Sequence, residues 1–263
     1  MRIVSWNIEN VSKRLGELPQ IVARLGTPDV LCLQEARIPE QDRALLDVLP
    51  GYACHCSLPR DPKNVTFRGG RAYGVVTYVS RALGPARPEV PAWDREGRIV
   101  ITHLEGLAIG NVYAVNGTDK WYFDHEQGAV SGDRHAFKRR FQALVLQRAA
   151  KLRAETGVVM AGDWNVSRTK QDITPRLRTE EPHALARAQL NDLLVASGMH
   201  DIWRERNPTT HNYTWFNARS RRLDAARVDY ILVSEELLPR VEEAGILAER
   251  AGSDHAPLTL RLR

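Results

Sequence analysis

Arg250-Ala251-Gly252-Ser253-Asp254-His255-Ala256-Pro257-Leu258 sets an Asp-His pair between a turn and the alternating run Leu258-Thr259-Leu260-Arg261-Leu262. That alternation predicts a half-buried strand. Gly252 and Ser253 let the backbone bend sharply, and Pro257 suits a strand's first residue, where no ladder donor is needed. His255 is therefore expected at the mouth of a sheet, with Asp254 beside it. Such a dyad can hold a metal, position a phosphate or move a proton. Alone it is a weak signal, because an Asp-His in a loop is most often structural. What strengthens it is that four other polar clusters close predicted strands in the same way.

Those strands emerge from the apolar pattern. Residues 2–8 alternate and end at Asn7, and residues 29–35 form a near-continuous apolar run closing on Gln34-Glu35, as a strand buried on both faces does. Val158 to Asp163 repeats that form, with Asn165 two positions on. Further strands are expected at 52–57, 72–79, 98–104, 107–115, 211–216, 227–233 and 257–262, with a hairpin turning at Glu105-Gly106. Helical spacing of apolar residues predicts helices over 15–25, near 40–48, over 134–153 and over 183–197. Residues 58–71, 116–133 and 164–182 read as exposed loops, the middle one with exposed aromatics at Trp121, Tyr122 and Phe123. Strands alternate with helices early and run as hairpins later, which predicts an α/β fold of mixed sheets packed face to face with helices outside.

Length and composition set the bounds. At 263 residues the chain makes one large domain or two small ones, and 43% hydrophobic with 26% charged residues is ordinary globular composition. No apolar run approaches the roughly 20 residues needed to cross a bilayer, and no signal peptide pattern precedes the first strand. Three cysteines, with Cys54 and Cys56 one residue apart, make neither a disulfide framework nor a zinc-spaced set. A reduced, cytoplasmic protein is expected. The net charge of +5 suggests a polyanionic partner. Basic residues bunch at 134–140, at Arg176 and Arg178, and at Arg219, Arg221, Arg222 and Arg227, whereas acids collect at Glu235, Glu236, Glu242, Glu243 and Glu249. That segregation predicts one positive face.

Strands ending in Asn7, Glu35, Asp163-x-Asn165, Asp229 and Asp254-His255 offer carboxylates, amides and an imidazole. Converging carboxylates repel unless a cation joins them. Oxygen ligands without cysteine or paired histidine suit a hard ion such as Mg²⁺ or Mn²⁺. A hard cation beside a histidine and two amides is what phosphodiester hydrolysis needs.

Ser5-Trp6-Asn7, Leu33-Gln34-Glu35, Gly162-Asp163-Trp164-Asn165, Arg227-Val228-Asp229-Tyr230 and Ser253-Asp254-His255 resemble, in order and spacing over the whole chain, the motifs of the endonuclease/exonuclease/phosphatase superfamily. Glu96-Gly97-Arg98, Asn111-Val112-Tyr113 and Tyr213-Thr214-Trp215-Phe216 are further marks of its exonuclease III branch, which includes AP endonucleases. The resemblance implies a four-layer α/β sandwich, two packed mixed β-sheets flanked by helices, formed by one catalytic domain over residues 1–263. It also implies roles position by position. Glu35, Asn7 and Asp254 match metal-site residues, and Asp163 matches the residue that activates water. Asn165 and Tyr113 match phosphate contacts. His255, oriented by Asp229, matches the imidazole on the scissile phosphate. Trp215 and Arg227 match substrate contacts, as do Lys138 and Arg139 on a helix facing the DNA backbone; alternation along an extended strand would put Asp163 and Asn165 on one side. Trp6, Trp164 and Trp203 are expected in the core.

Three departures from that pattern stand out: Glu9 replaces an amide, Tyr113-Ala114-Val115-Asn116-Gly117 lacks a stiffening proline, and Ala226 stands where relatives that clamp an abasic sugar carry Trp or Leu. What the resemblance implies is a Mg²⁺-dependent repair phosphodiesterase on double-stranded DNA, acting as a monomer away from membranes. It would cut at abasic sites, clean blocked 3′ ends or trim 3′ nucleotides. Two alternatives stay open: a superfamily phosphodiesterase or phosphatase on RNA or a non-DNA phosphoester, and a catalytically silent DNA-binding module.

Overall fold

Two six-stranded mixed sheets lie face to face with helices on both outer sides in a computed structural model. It describes residues 1–64, 73–119, 121–175, 180–217, 224–248, 250 and 252–263. Strand β1 (Arg2–Asn7) runs through a short α1 (Val11–Arg14), a 3₁₀ turn and α2 (Leu18–Arg24) into β2 (Val30–Gln34). Next come β3 (Tyr52–Ser57), β4 (Val75–Ser80), β5 (Arg87–Glu89), β6 (Ile99–Leu104) and β7 (Leu107–Tyr113). A small hairpin, β8 (Tyr122–Asp124) and β9 (Ala129–Ser131), precedes α3 (Arg134–Leu152), β10 (Gly157–Asp163) and α4 (His183–Ser197). The chain closes with β11 (Met199–Asp201), α5 (Ile202–Arg206), β12 (Trp215–Phe216), β13 (Ala225–Ala226), β14 (Asp229–Ser234), β15 (Val241–Ile246) and β16 (Leu258–Leu262).

The strand orders are β15-β16-β1-β2-β4-β3 and β11-β14-β10-β7-β6-β5. Each sheet has a parallel pair at its centre, β1 with β2 and β7 with β10. Alternation along those strands sorts the side chains into layers. Val4, Trp6, Leu31 and Leu33 pack with Leu18 and Ile21 of α2. Ala108, Val112, Val158 and Met160 pack with Val145 of α3 and Leu190 of α4. The alternate residues, Ile3, Val30, Cys32, Ile109, Val159 and Ile231, fill the space between the sheets. The result is the expected four layers.

Several expectations are corrected. The first helix is interrupted at Leu15–Glu17 and restarts with Pro19 in its first turn, a position where the missing amide hydrogen costs nothing. The helix expected near 40–48 is a 3₁₀ helix at Glu40–Leu46, with no side chain capping its start. The loop at 116–133 contains the β8–β9 hairpin, and the strand expected over 211–216 is only Trp215–Phe216. Glu242 and Glu243 belong to edge strand β15, where charge on the outer face discourages pairing with other chains.

The expected positive face is also revised. Arg176, Arg178, Arg219, Arg221 and Arg222 lie outside the described residues, as do Glu249 and the second half of the loop over 58–71. Arg134 is paired with Glu96, and Arg140 with Asp124 and Glu126. Arg227 is 1% exposed, its guanidinium committed to Asp172 and Asp201. Its burial and its two carboxylate partners fit a structural role in place of the expected substrate contact. Among the described residues no helix is long and apolar enough to cross a membrane.

Candidate active site

The layer between the sheets turns polar at one end, and topology decides which. Parallel strands β1, β2, β7 and β10 deliver their last residues there. Strands β14 and β16, antiparallel to β10 and β1, deliver their beginnings. Register places Asn7 beside Gln34, and Asp163 between Tyr113 and Asp229. Glu35, just past β2, has φ 62°, and Asn165, two residues past the end of β10, has φ 54°. Left-handed backbone in non-glycine residues is strained and persists where the surroundings fix it. Here Val11 N donates to Glu35 O at 3.0 Å, and Lys138 Nζ to Asn165 O at 2.6 Å.

The side chains then meet across the gap. Asn7 Nδ2 donates to Glu35 Oε1 at 3.3 Å and to Asp163 Oδ2 at 3.1 Å. The Tyr113 hydroxyl donates to Glu35 Oε1 at 3.0 Å, and Arg37 forms an ion pair with the same carboxylate. Asn165 donates to Asp163 through its backbone N at 2.9 Å and through Nδ2 at 3.3 Å. His255 Nδ1 lies 2.8 Å from Asp229 Oδ2. Ser253 Oγ donates to Asn7 O at 2.7 Å and accepts from His255 N at 3.0 Å, tying the Asp-His turn to the end of β1. The indole of Trp6 donates to His255 O at 3.0 Å from the opposite face of that strand.

Burial makes these groups reactive. For Asp163, removal from water and then the negative charge of Asp229 push the carboxyl up to about 7, against His255 and the hydrogen bonds from Asn165 and Asn7. A carboxylate with that affinity can take a proton near neutral pH. Burial alone would lower His255, but the charge and hydrogen bond of Asp229, helped by Asp163 and Asp254, push it up to about 10, so the ring is a cationic donor. Tyr113 is driven well above its usual range by burial and then by Glu35 and Asp163, so its hydroxyl keeps its proton.

The donor set fits a hard divalent cation. Among the described residues, Asp163, Asp229 and His255 form the one group of three acidic or histidine side chains whose ligand atoms all lie within 4.8 Å of one another. Asn7 links that group to Glu35. Two buried carboxylates in one place, with oxygen donors around them and no thiol nearby, suit Mg²⁺ or Mn²⁺ better than zinc.

Of the residues read from sequence, Asn7, Glu35, Tyr113, Asp163, Asn165, Asp229 and His255 are brought together. Asp254 is at the rim: its Oδ2 accepts from Trp215 Nε1 at 3.0 Å, and Oδ1 lies 4.0 Å from His255 Nε2. Asn165 shares a side with Asp163 because the backbone turns left-handed after β10, not because the strand continues. Lys138 is 3% exposed, so it buttresses Asn165 from inside and does not stand on an outer helix face. Arg139 is half-buried and does not line the cleft. The cleft, about 420 Å³, runs from Glu35 and His255 to an apolar end at Ile173, Trp215 and Ala226. Ala226 pairs with Trp215 across β12–β13. Arg37 was not singled out by the sequence reading, although it lies two residues from Glu35, and Ser253 was read only as part of the turn and motif, without its hydrogen bond to the end of β1.

The sequence profile of the Endonuclease/Exonuclease/phosphatase family matches residues 4–255. Recombination repair protein 1 of Drosophila melanogaster is 30% identical over 99% of this chain, which spans only 37% of that protein's length. Exodeoxyribonuclease III of Haemophilus influenzae is 26% identical over 98% of both chains. Among solved structures, the AP endonuclease of Leishmania major superposes with a TM-score of 0.78 at 23% identity, covering 100% of this chain and 87% of its own. A 3′ phosphatase from Neisseria, bound to a product DNA hairpin, gives 0.75 at 24% identity, covering 100% and 99%. These likenesses establish the four-layer sandwich.

Proposed function

The chain belongs to the endonuclease/exonuclease/phosphatase family, and on that premise we propose that it is a Mg²⁺-dependent DNA-repair phosphodiesterase acting on double-stranded DNA. It hydrolyses a phosphodiester at abasic sites or at 3′ ends by attack of water on phosphorus. The observation that carries this reading is the meeting of Asn7, Glu35, Tyr113, Asp163 and Asn165 with the Asp229–His255 pair at one end of the two sheets. The names of the similar proteins, an exodeoxyribonuclease III, an AP endonuclease and a 3′ phosphatase, support it.

Each residue has work suited to its surroundings. Glu35 and Asn7, with the Asp163 group beside them, would hold the cation, whose positive charge draws electron density from the phosphate when it is bound. Asp163 takes the proton of the attacking water. His255, kept cationic by Asp229, donates to a phosphate oxygen, and Tyr113 and Asn165 add hydrogen bonds that keep the phosphate aligned. Lys138 sets Asn165, and Arg227 is withdrawn from the substrate contacts. Trp215 offers a ring to the nucleotide beside the scissile bond, and Ala226 leaves room next to it. That room is why abasic sites and ordinary 3′ ends both belong to the proposal.

The test is cleavage of a duplex with one abasic site, a recessed 3′ end and a 3′-phosphorylated end, each with Mg²⁺ and with chelator. Mg²⁺-dependent cutting of at least one substrate is expected. Uncut DNA in all three cases, with turnover of a non-DNA phosphoester instead, would place the chain with the family's other substrate classes. Binding of duplex without any turnover would make it a silent module.

A further inference from the structure

The space between the sheets changes character along its length. Ile3, Val30, Ile109 and Val159 fill one end, and the reactive groups stand at the other. Between them lies a rung of buried polar side chains centred on Asn111 of β7, which is 0% exposed. Its Nδ2 donates across the gap to Leu33 O at 3.1 Å, to Val76 O at 2.9 Å and to Thr77 Oγ1 at 3.2 Å. Its Oδ1 accepts from Gln34 Nε2 at 2.7 Å, and Gln34 Nε2 also reaches Ser5 Oγ at 3.2 Å. One amide from the second sheet is therefore bonded to both β2 and β4 of the first.

The position of this rung matters. Asn111 and Tyr113 are two residues apart on β7 and point the same way. Glu35 directly follows Gln34. The Tyr113–Glu35 hydrogen bond, 3.0 Å, is thus the next link across the same gap, one step nearer the cleft. Apolar contact between sheets is non-directional and tolerates sliding. A buried amide satisfied at both its oxygen and its nitrogen does not, because displacement strands polar groups in a dry interior.

We propose that Asn111 is a positioning residue for the reaction: it fixes β7 against β2 and so sets Tyr113 on Glu35. The catalytic consequence rests on the proposed function, whereas the geometric one does not. A second cross-sheet bond supplies the control. His55 Nδ1 lies 3.0 Å from Thr102 Oγ1, joining β3 to β6, so Thr102→Val removes a buried bond between the same sheets and leaves Asn111, Gln34 and each of their bond partners unsubstituted.

The experiment compares Asn111→Leu and Gln34→Met with Thr102→Val for thermal stability, kcat and KM, alone and combined with Tyr113→Phe. The rung variants should lose about tenfold to a hundredfold in kcat, as groups orienting metal-site ligands commonly do, with KM nearly unchanged. Thr102→Val should keep its kcat. On the Asn111→Leu background, Tyr113→Phe should cost far less than it does in the unaltered protein. Crystals of a rung variant should show the Tyr113–Glu35 separation opened beyond about 3.5 Å. The proposal is overturned if kcat follows stability alike in all three variants, if the two losses simply multiply, or if the separation stays at 3.0 Å. If the unaltered protein cleaves no DNA, the functional reading fails by itself and the crystal distance still decides the role of Asn111.

Discussion

At Asp163 two demands meet: the carboxylate is buried beside Asp229, and Asn7 and Asn165 hold it in one orientation. Asp163→Asn keeps the shape and removes the proton acceptor. It should lower turnover by about a hundredfold to ten-thousandfold while duplex affinity, measured by fluorescence anisotropy, stays nearly unchanged. An equal loss of affinity would mean that Asp163 serves binding. Ala226, 4% exposed against Trp215, makes a different prediction. Ala226→Trp fills the apolar end of the cleft, so trimming of an intact 3′ nucleotide should fall by tenfold or more, from the loss of about 1.4 kcal/mol, while cutting at an abasic site is spared. Equal loss on both substrates would show that the space is not used by a base. At this scale motif spacing picked out the acids, amides and histidine that the fold brings together. It misplaced Arg227, because a basic side chain looks alike in sequence whether it meets solvent or the buried carboxylates of Asp172 and Asp201. It read Lys138 as an outer-face residue, where the side chain is buried in the cleft wall against Asn165 O.

Elements with long apolar runs or helical stripes were legible: β2, β10, α3 and α4 fall close to their expected bounds. Short ones were not, since β8, β9, β11 and β13 have two or three residues and take their shape from neighbours. The loops around the cleft are held by a buried charge network that no local pattern announces. Asp172, 0% exposed, accepts from Arg227 and pairs with Arg204, and Asp201 accepts from Arg227 and from Arg168. Removing one partner leaves charges buried without compensation, so Arg227→Met should destabilise the protein by about 3–5 kcal/mol in urea unfolding at neutral pH. A loss below about 1 kcal/mol would contradict this role. Burial raises the Asp172 carboxyl, but Arg227 and Arg204 outweigh it and hold the group below its usual range. A depressed folded-state pKa contributes stability above the unfolded value near 3.9, and that stability disappears as pH falls through the folded value. The gap in melting temperature between the unaltered protein and Asp172→Asn should therefore be widest near pH 7 and shrink below about pH 4. A constant gap would assign the loss to packing.

Across the molecule, the two sheets act as one frame whose inner layer passes from apolar to polar to reactive toward a single end. The alternation that buries Ile109 also aims Asn111 and Tyr113, which is why a strand pattern could anticipate a catalytic site. Three of the clustered basic side chains, Arg134, Arg140 and Arg227, are committed to carboxylates of the chain itself. The logarithm of the affinity for duplex DNA should still fall linearly with the logarithm of salt concentration, as binding to a phosphate backbone requires. Affinity independent of salt would exclude backbone-dominated binding. The central claim is that distant acids, amides and an imidazole form one metal-assisted phosphodiesterase. Its most direct test is cleavage of a duplex carrying one abasic site and a recessed 3′ end, with Mg²⁺, by the unaltered protein and by Glu35→Ala. The account predicts cutting that chelator abolishes and that Glu35→Ala lowers by orders of magnitude. Intact DNA in every lane, or full activity in Glu35→Ala, would contradict it.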